Sequence, residues 1–578
     1  MLKYIIIIKM EKIKRILLLV VLIALFYTRF VNLSWGLPYP FHPDERNMAN
    51  AVQSLNCEIS NCLNPHFFAY GQFPLYLSYF GIQAYHFIVG EFDPINFSEA
   101  AMALRIISAI SSTLTVWVLF KMTELFLILD KSKIKDQKLK LQIKNQNLIA
   151  LLLFTFSPAL IQFAHFGTTE SLLMLLYSLI IYYCLLLINN RILNSKFLIL
   201  NSLFLGLAVA TKVSSLIFAL PIIMAILVVA ENNLLDKLFT ILKLGAFALV
   251  FTVIFSPYNF IAFNDFLGAM RYESDVALGN YLAFYTRQFF QTTPVLFQVQ
   301  KIFPYSLGWP VFILFISGFI FLPWKKNFNF LRFSFLAFFL SSAFIYAKWT
   351  RFMTPVMPIM LVIGTLFLIK VYDYLNSKLK SQKSKIQVKN QNFLILTFTF
   401  GFLLLTFAFI IPGIAFLSIY TSKDVRFTAS DWIFNNIPSG INILSETANV
   451  VDLPILNPKE EINQTMKNWH GNYISFDFYH LDENPMLQEN LKNYLKIADY
   501  VFVPSRRIFY NHKTGYPILN IYYEDLFSGK LGFEKVAEFT SYPKIEIFGK
   551  TILEFPDEEA EETWTVFDHP VFRIYKRV

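Results

Sequence analysis

The sequence predicts an α-helical integral membrane protein: a multi-span bundle over residues 1–420, then a small extracytoplasmic α/β domain over residues 421–578. Three observations predict this. The 578 residues are 55% hydrophobic and only 16% charged, whereas soluble domains carry ~25% charged residues. Long apolar runs alternate with Lys-rich loops, as the positive-inside rule requires of a polytopic chain. Beyond residue 421 the composition becomes that of a soluble domain, and helical patterns precede short apolar strands.

Composition also excludes other classes. A formal net charge of +10 invites a nucleic-acid partner, but the Lys and Arg residues cluster between apolar spans and no aromatic-and-basic module accompanies them. The 64 Phe and 29 Tyr suit lipid-facing surfaces and interfacial belts. Three cysteines are too few for a disulfide scaffold. Cys57 and Cys62 share one loop and would pair only in an oxidising compartment; two separate thiols are the default reading.

The elements follow in order. Basic residues Lys9, Lys12, Lys14 and Arg15 precede an apolar run over 16–33 with no small-residue cleavage site, so a first span starts in the cytoplasm. Residues 74–89 are interrupted by Gln83 and His86 and barely reach the ~20 residues a span needs. Were they to span, the loop carrying Lys131, Lys133, Lys135, Lys138, Lys140 and Lys144 would lie outside, against the charge rule. They are therefore expected to lie along the outer interface as an amphipathic helix. The first outer loop then covers roughly 34–100. Further spans are expected at 106–129, 148–164, 172–188, 197–210, 214–230 and 239–255. A long outer segment over 257–304 precedes spans at 305–322, 330–346, 352–370 and 393–420, for a total of about eleven. Two similar cytoplasmic loops, 139–147 and 384–392, read as polar linkers. In the last domain, helices are expected at 425–435 and 490–497, strands at 441–444 and 500–503, and alternation at 571–575.

The chain's candidate chemistry begins at Phe41-His42-Pro43-Asp44-Glu45-Arg46. Ionisable groups are costly beside hydrocarbon, though a solvated turn shaped by Pro43 also accounts for this cluster taken alone. Other ionisable groups fall on the same face: the turn from His165 to Glu170, Lys212, the stretch Arg271-Tyr272-Glu273-Ser274, and Lys348 and Arg351 around Trp349. Singly, Lys212 or Arg351 reads as a snorkelling anchor, and Glu170 as a residue favoured by a helix N-terminus. Together they place carboxylates and cations at the mouths of several helices. A transporter, the reading without bond formation, would instead concentrate such groups near the midplane, where these spans have almost none.

With these residues in view, the chain resembles glycosyltransferase family 39, which includes the protein O-mannosyltransferases and the lipid A aminoarabinose transferases. The resemblance rests on Phe41-His42-Pro43-Asp44-Glu45, Tyr70-Gly71-Gln72-Phe73-Pro74, Arg105-Ile106-Ile107-Ser108, Ser157-Pro158 with Glu170, and residues 206–212. It continues through Ser256-Pro257-Tyr258, Arg351-Phe352-Met353-Thr354-Pro355 and Asp568-His569-Pro570. It implies a GT-C fold and inverting sugar transfer from a polyprenyl-phosphate donor to an acceptor on the outer face, without a nucleotide sugar. Asp44 matches the essential acidic position, with Glu45 beside it. Where the aminoarabinose transferases carry a Glu-Lys pair, this chain has Gln72-Phe73.

The chemistry agrees with that implication. Displacing phosphate at an anomeric carbon needs a base on the acceptor hydroxyl and cations on the leaving group. Asp44 is the candidate base, assisted by Glu45, and desolvation beside the membrane is expected to strengthen it. Arg46, Arg105, Lys212, Lys348 and Arg351 are candidates for the phosphate, Lys212 and Arg351 foremost, and Glu170 for sugar or acceptor. The acceptor class stays open among glycan, lipid and protein, and a polymerase or ligase acting on a diphosphate-linked glycan would use the same face. No cofactor is implied; a divalent cation is compatible with paired carboxylates, but no ligand set is visible. The expected location is the plasma membrane of a prokaryotic cell, with the N-terminus cytoplasmic.

Overall fold

The computed structural model describes residues 2–55, 63–90, 93–131, 137–190, 195–229, 233–383, 391–446, 451–462, 464–510 and 515–578. Cys57 and Cys62 lie outside the described residues, as do parts of the two look-alike linkers.

Residues up to 421 form a helical bundle, and the chain is an integral membrane protein. Among the described residues, Phe97–Leu129, Glu170–Asn190, Leu234–Phe255 and Thr350–Lys378 are each long and apolar enough to cross a membrane. Shorter apolar helices cover Ile16–Phe30, Ser195–Thr211, Val213–Val228 and Leu404–Phe416. Two expected spans are broken. The one at 148–164 divides into Gln146–Thr155 and Pro158–His165, bent by 46°, because Pro158 has no N–H to continue the helical ladder. The one at 305–322 begins instead at Trp309: Gln298–Leu307 meets Trp309–Phe321 at 115°. Gly308, at φ +79, makes that corner, a backbone region that glycine enters at little cost. The 13 residues from Trp309 to Phe321 fall short of a full crossing.

The helix Phe73–Val89 packs on Pro43–Gln53 and on Phe97–Lys131. It buries Leu75, Tyr79 and Ile82 and leaves Phe87 and Ile88 exposed. The final apolar helix, Gln391–Phe416, approaches the break at Pro158 so closely that a Cβ on Gly413 would lie 1.6 Å from the Phe156 carbonyl oxygen.

The C-terminal domain is α/β, with strands β1 (Asn442–Glu446), β2 (Asn472–Phe476), β3 (Tyr500–Val503), β4 (Phe533–Phe539), β5 (Lys544–Ile547), β6 (Lys550–Glu554) and β7 (Phe572–Arg577). Five of them form one sheet in the order β2-β1-β3-β7-β4, and β5 and β6 form a separate hairpin. β1 runs parallel to β2 and β3, whereas β7 is antiparallel to β3 and β4. All four β3 side chains are buried, which explains why the sequence shows a continuous apolar run there rather than alternation.

Residues 557–569 tie this domain to the bundle. Gln162 Nε2 donates to the Trp564 carbonyl at 2.7 Å, and Tyr420 donates its hydroxyl to Asp568 Oδ2 at 2.6 Å. Thr350 donates both its N–H and its hydroxyl to Glu561 Oε2, at 2.9 and 2.8 Å. The domain is thereby fixed over the end of the bundle that carries Asp44.

Candidate active site

Asp44 and Glu45 open the helix Pro43–Gln53, with Pro43 in its first turn and His42 at its N-cap. Proline's fixed φ suits the first helical position, and acidic side chains are favoured beside the helix's positive end. Successive helical side chains diverge by about 100°. The two carboxylates therefore point to different places.

Glu45 is 1% exposed and faces Arg105, which is fully buried. Arg105 Nε and Nη2 donate to the two Glu45 oxygens at 2.8 and 2.6 Å, while Nη1 donates to the carbonyls of Leu33 and Trp35 at 2.7 Å each. The Gly167 N–H completes the set, donating to Glu45 Oε2 at 2.6 Å. A Cβ at residue 167 would sit 2.9 Å from that oxygen. The expectation of Glu45 as a catalytic partner and of Arg105 as a phosphate ligand is therefore corrected. Each is committed to the other, and the pair holds together the loop after the first helix, the helix Phe97–Lys131 and the turn at Gly167.

Asp44 faces Arg351, whose Nη1 donates to Asp44 Oδ2. The guanidinium lies 4.5 Å from the Trp349 ring centroid, and Nη1 is 3.5 Å from the Tyr70 hydroxyl. Burial raises the Asp44 carboxyl's pKa, but the charges of Arg351, His42 and Lys212 outweigh it and hold the group below the ordinary carboxylate value. The expected strengthening of Asp44 as a base by desolvation is reversed while Arg351 remains against it. Arg351 Nε is buried and has no hydrogen-bond partner among the described residues.

Lys212 stands beside this pair. Its ammonium lies 3.9 Å from Glu170 Oε1 and 5.2 Å from the ring centroids of both Tyr70 and Phe352. Burial lowers its pKa against the opposing pull of Glu170. Gly71 fixes the Tyr70 segment to the Lys212 turn: its N–H donates to the Thr211 carbonyl at 2.9 Å, and a Cβ there would meet the Ala210 carbonyl oxygen at 2.0 Å.

The remaining expected cations separate. Arg46 is exposed and lines the mouth of the cavity holding Asp44. Lys348 is buried, donates to the Tyr346 carbonyl at 2.9 Å, and lines neither cavity described below. Its assignment to the phosphate is corrected.

Two cavities meet at the Asp44–Arg351 pair. A polar one of about 440 Å³ is lined by Asp44, Arg46 and Tyr285 from the bundle and by Arg507, Glu562 and Phe567 from the C-terminal domain. A more apolar groove of about 400 Å³ runs past Lys212, Leu173, Phe218, Met270 and Phe338. Tyr70, Glu273, Trp349 and Arg351 form the wall common to both. Burial raises the Glu273 carboxyl above its ordinary value against the pull of Arg351 and Lys212. Among the described residues, no group of three His, Cys, Asp or Glu could hold a metal ion.

Sequence reasoning saw Tyr70 and Glu273 only as parts of motifs, and it missed Arg507 and Glu562 altogether. These last two form a buried ion pair at 3.1 Å. Nothing in the soluble-like composition of their domain marks them, because only folding carries them over the bundle.

Residues 83–236, which include Arg105, Glu170 and Lys212, match the family model for the protein O-mannosyl-transferase TMEM260 N-terminal domain. The matched family is one of glycosyltransferases. Among solved structures, ArnT from Cupriavidus metallidurans bound to undecaprenyl phosphate aligns at 12% identity over 96% of this chain and 97% of that one, with a TM-score of 0.47. The apo form of ArnT aligns at 12% identity over 84% and 91%, with a TM-score of 0.44. The arabinofuranosyltransferase AftD from Mycobacteria aligns at 12% identity over 98% of this chain but 41% of its own length, with a TM-score of 0.32. No curated protein sequence matches the chain.

Proposed function

We propose that this protein is a glycosyltransferase that moves a sugar, with inversion, from a polyprenyl-phosphate donor to an acceptor hydroxyl at the outer face of the membrane. The observation that carries the reading is Arg351. It stands in the wall between an apolar groove and a polar cavity, bonded to Asp44 and with its buried Nε unpartnered. The family match over residues 83–236 supports the same reaction class.

The prenyl chain would follow the apolar groove and bring its phosphate to Lys212 and Arg351. Arg supplies a planar fork of donors and Lys a compact charge. The acceptor would enter through the polar cavity, whose charged side chains and the rings of Tyr285 and Trp349 suit a polyhydroxylated group with both hydrogen-bonding and C–H faces. Asp44 takes the proton of the attacking hydroxyl as its oxygen bonds to the anomeric carbon. The bond from that carbon to the phosphate oxygen breaks, and its electron pair leaves on the phosphate between Lys212 and Arg351. Attack and departure on opposite faces give inversion. A phosphate that draws Arg351 away also relieves Asp44 of the charge that lowers its basicity, so donor binding prepares the base.

The test is transfer by purified protein from radiolabelled polyprenyl-phosphate hexoses, with polyprenyl-diphosphate oligosaccharides as the competing donor class. General-base loss in Asp44→Asn is expected to lower turnover by about 10²–10⁴. Full activity of that variant on a working donor would remove Asp44 from the mechanism, and exclusive use of the diphosphate donors would favour a polymerase or ligase. Orientation is tested in intact cells: labelling of Asp136→Cys only from outside would make the 73–89 helix a span rather than an interfacial element.

A further inference from the structure

The β5–β6 hairpin is chemically unlike the rest of the C-terminal domain. It stands apart from the five-stranded sheet, and a lone two-stranded hairpin is marginally stable in water. Its outer portion nevertheless exposes Ile547, Phe548, Ile552, Leu553 and Phe555, with Phe548 at 102%. The tip is the turn Phe548-Gly549, at φ +51 and +74. Turns of this kind are built from Asn, Asp or Gly, and a bulky side chain at positive φ is strained. Phe548 therefore serves neither the turn nor the domain's core.

The hairpin's place gives the residue a use. Lys544, at the start of β5, donates its N–H to Ser418 Oγ at 3.1 Å, and Ser418 follows directly on the helix Gln391–Phe416. β5 packs against that helix, which exposes Leu404, Leu405 and Phe407. The apolar hairpin surface is thus continuous with a lipid-facing helix at the end of the bundle that carries the site.

We propose that this hairpin is a membrane-surface anchor, with Phe548 and Ile547 seated among the headgroups and upper acyl chains of the leaflet beneath the C-terminal domain. Lys544 and Lys550 flank the apolar tip, where their stems lie along apolar surface and their ammonium groups reach lipid phosphates. The strands' free edges keep water only at that level, since open edges are not tolerated in the hydrocarbon. Seated there, the hairpin gives the domain a second hold on the membrane besides residues 557–569, and so steadies the roof that Arg507 and Glu562 form over the polar cavity.

The test uses the full-length protein in liposomes, with Cys57, Cys62 and Cys184 replaced by Ser and an environment-sensitive fluorophore placed at Phe548→Cys or Ile552→Cys. The expected result is a blue-shifted emission at residue 548, quenched more by nitroxide lipids labelled near the headgroup than by those labelled deep in the chain. Met486→Cys, on the exposed face of Pro485–Ile497, provides the aqueous comparison. The native-like variant Phe548→Trp, quenched by brominated lipids beyond the wild-type level, gives the same answer without a label. Aqueous emission at 548 that no lipid quencher alters overturns the proposal. So does protection that disappears when the protein is diluted to one copy per vesicle, which would make the hairpin a contact between copies.

Discussion

The adjacent carboxylates make the sharpest test, because sequence treats Asp44 and Glu45 as one catalytic pair and the structure gives them different work. In Glu45→Gln the side chain keeps its size but loses its charge, leaving the fully buried Arg105 guanidinium uncompensated. Three short hydrogen bonds, at 2.6, 2.6 and 2.8 Å, converge on the carboxylate. The amide's NH₂ would face a donor where an acceptor stood. Breaking a buried pair by removing one partner costs about 3–5 kcal/mol. Glu45→Gln should therefore show a markedly lower midpoint of thermal inactivation in detergent, with activity lost in proportion to folded protein. Asp44→Asn removes a partner from a pair whose side chains are each 20% exposed, so it should lose turnover while keeping its thermal midpoint close to wild type. Joint replacement of Glu45 and Arg105 by Met should recover much of the lost stability, since apolar substitutes for buried pairs are often neutral. A fully stable Glu45→Gln enzyme with an Asp44→Asn-like loss of turnover would refute the division of roles.

Other outcomes follow from the same geometry. Arg351→Lys keeps the charge but loses the fork; forfeiting one charge-assisted hydrogen bond of about 1.5–3 kcal/mol should slow transfer about 10- to 100-fold, whereas Lys348→Ala should leave turnover nearly unchanged in the same assay. Asp44 has a folded pKa below its ordinary value, so its contribution is present above the ordinary carboxylate value and lost as pH falls through the depressed one. Arg351→Gln leaves the effect of burial with less opposition, and the acid limb of kcat/KM should move to higher pH. His569, between Asp568 and Asp557 at 2.5 and 3.0 Å, is disfavoured as a cation by burial, but the two carboxylates raise its pKa from 6.5 to about 10. A raised pKa stabilises the fold fully below 6.5 and progressively less as pH rises through 10. Thermal midpoints should fall between pH 7 and 10, and His569→Gln should flatten that dependence. Gly413→Ala drives a methyl against the Phe156 carbonyl; overpacking of this kind costs about 1–3 kcal/mol and should lower the thermal midpoint without altering KM.

Much of the fold was legible because lipid imposes a simple rule. Apolar length and flanking charge report membrane helices directly, and Phe97–Leu129 and Glu170–Asn190 stand where hydropathy puts them. The strand Tyr500–Val503 was read to the residue, since an uninterrupted apolar run in a soluble-like context has few other uses. The breaks at Pro158 and Gly308 were not read. Each lies inside a run whose average hydropathy remains that of a span, and a window average is blind to a single missing N–H or one left-handed residue.

Within the site, sequence alone determined which residue types stand at the mouths of the helices, and it singled out Asp44, Lys212 and Arg351, which line the meeting cavities. It could not decide which charges face a ligand and which face each other. That depends on direction: about 100° of helical rotation sends Asp44 to the cavity and Glu45 to Arg105. It also depends on assembly, because Arg507 and Glu562 reach the cavity only when residues 557–569 dock their domain on the bundle. Charge is written in the sequence one residue at a time, but whether a charge is free for chemistry is settled by its nearest partner in space.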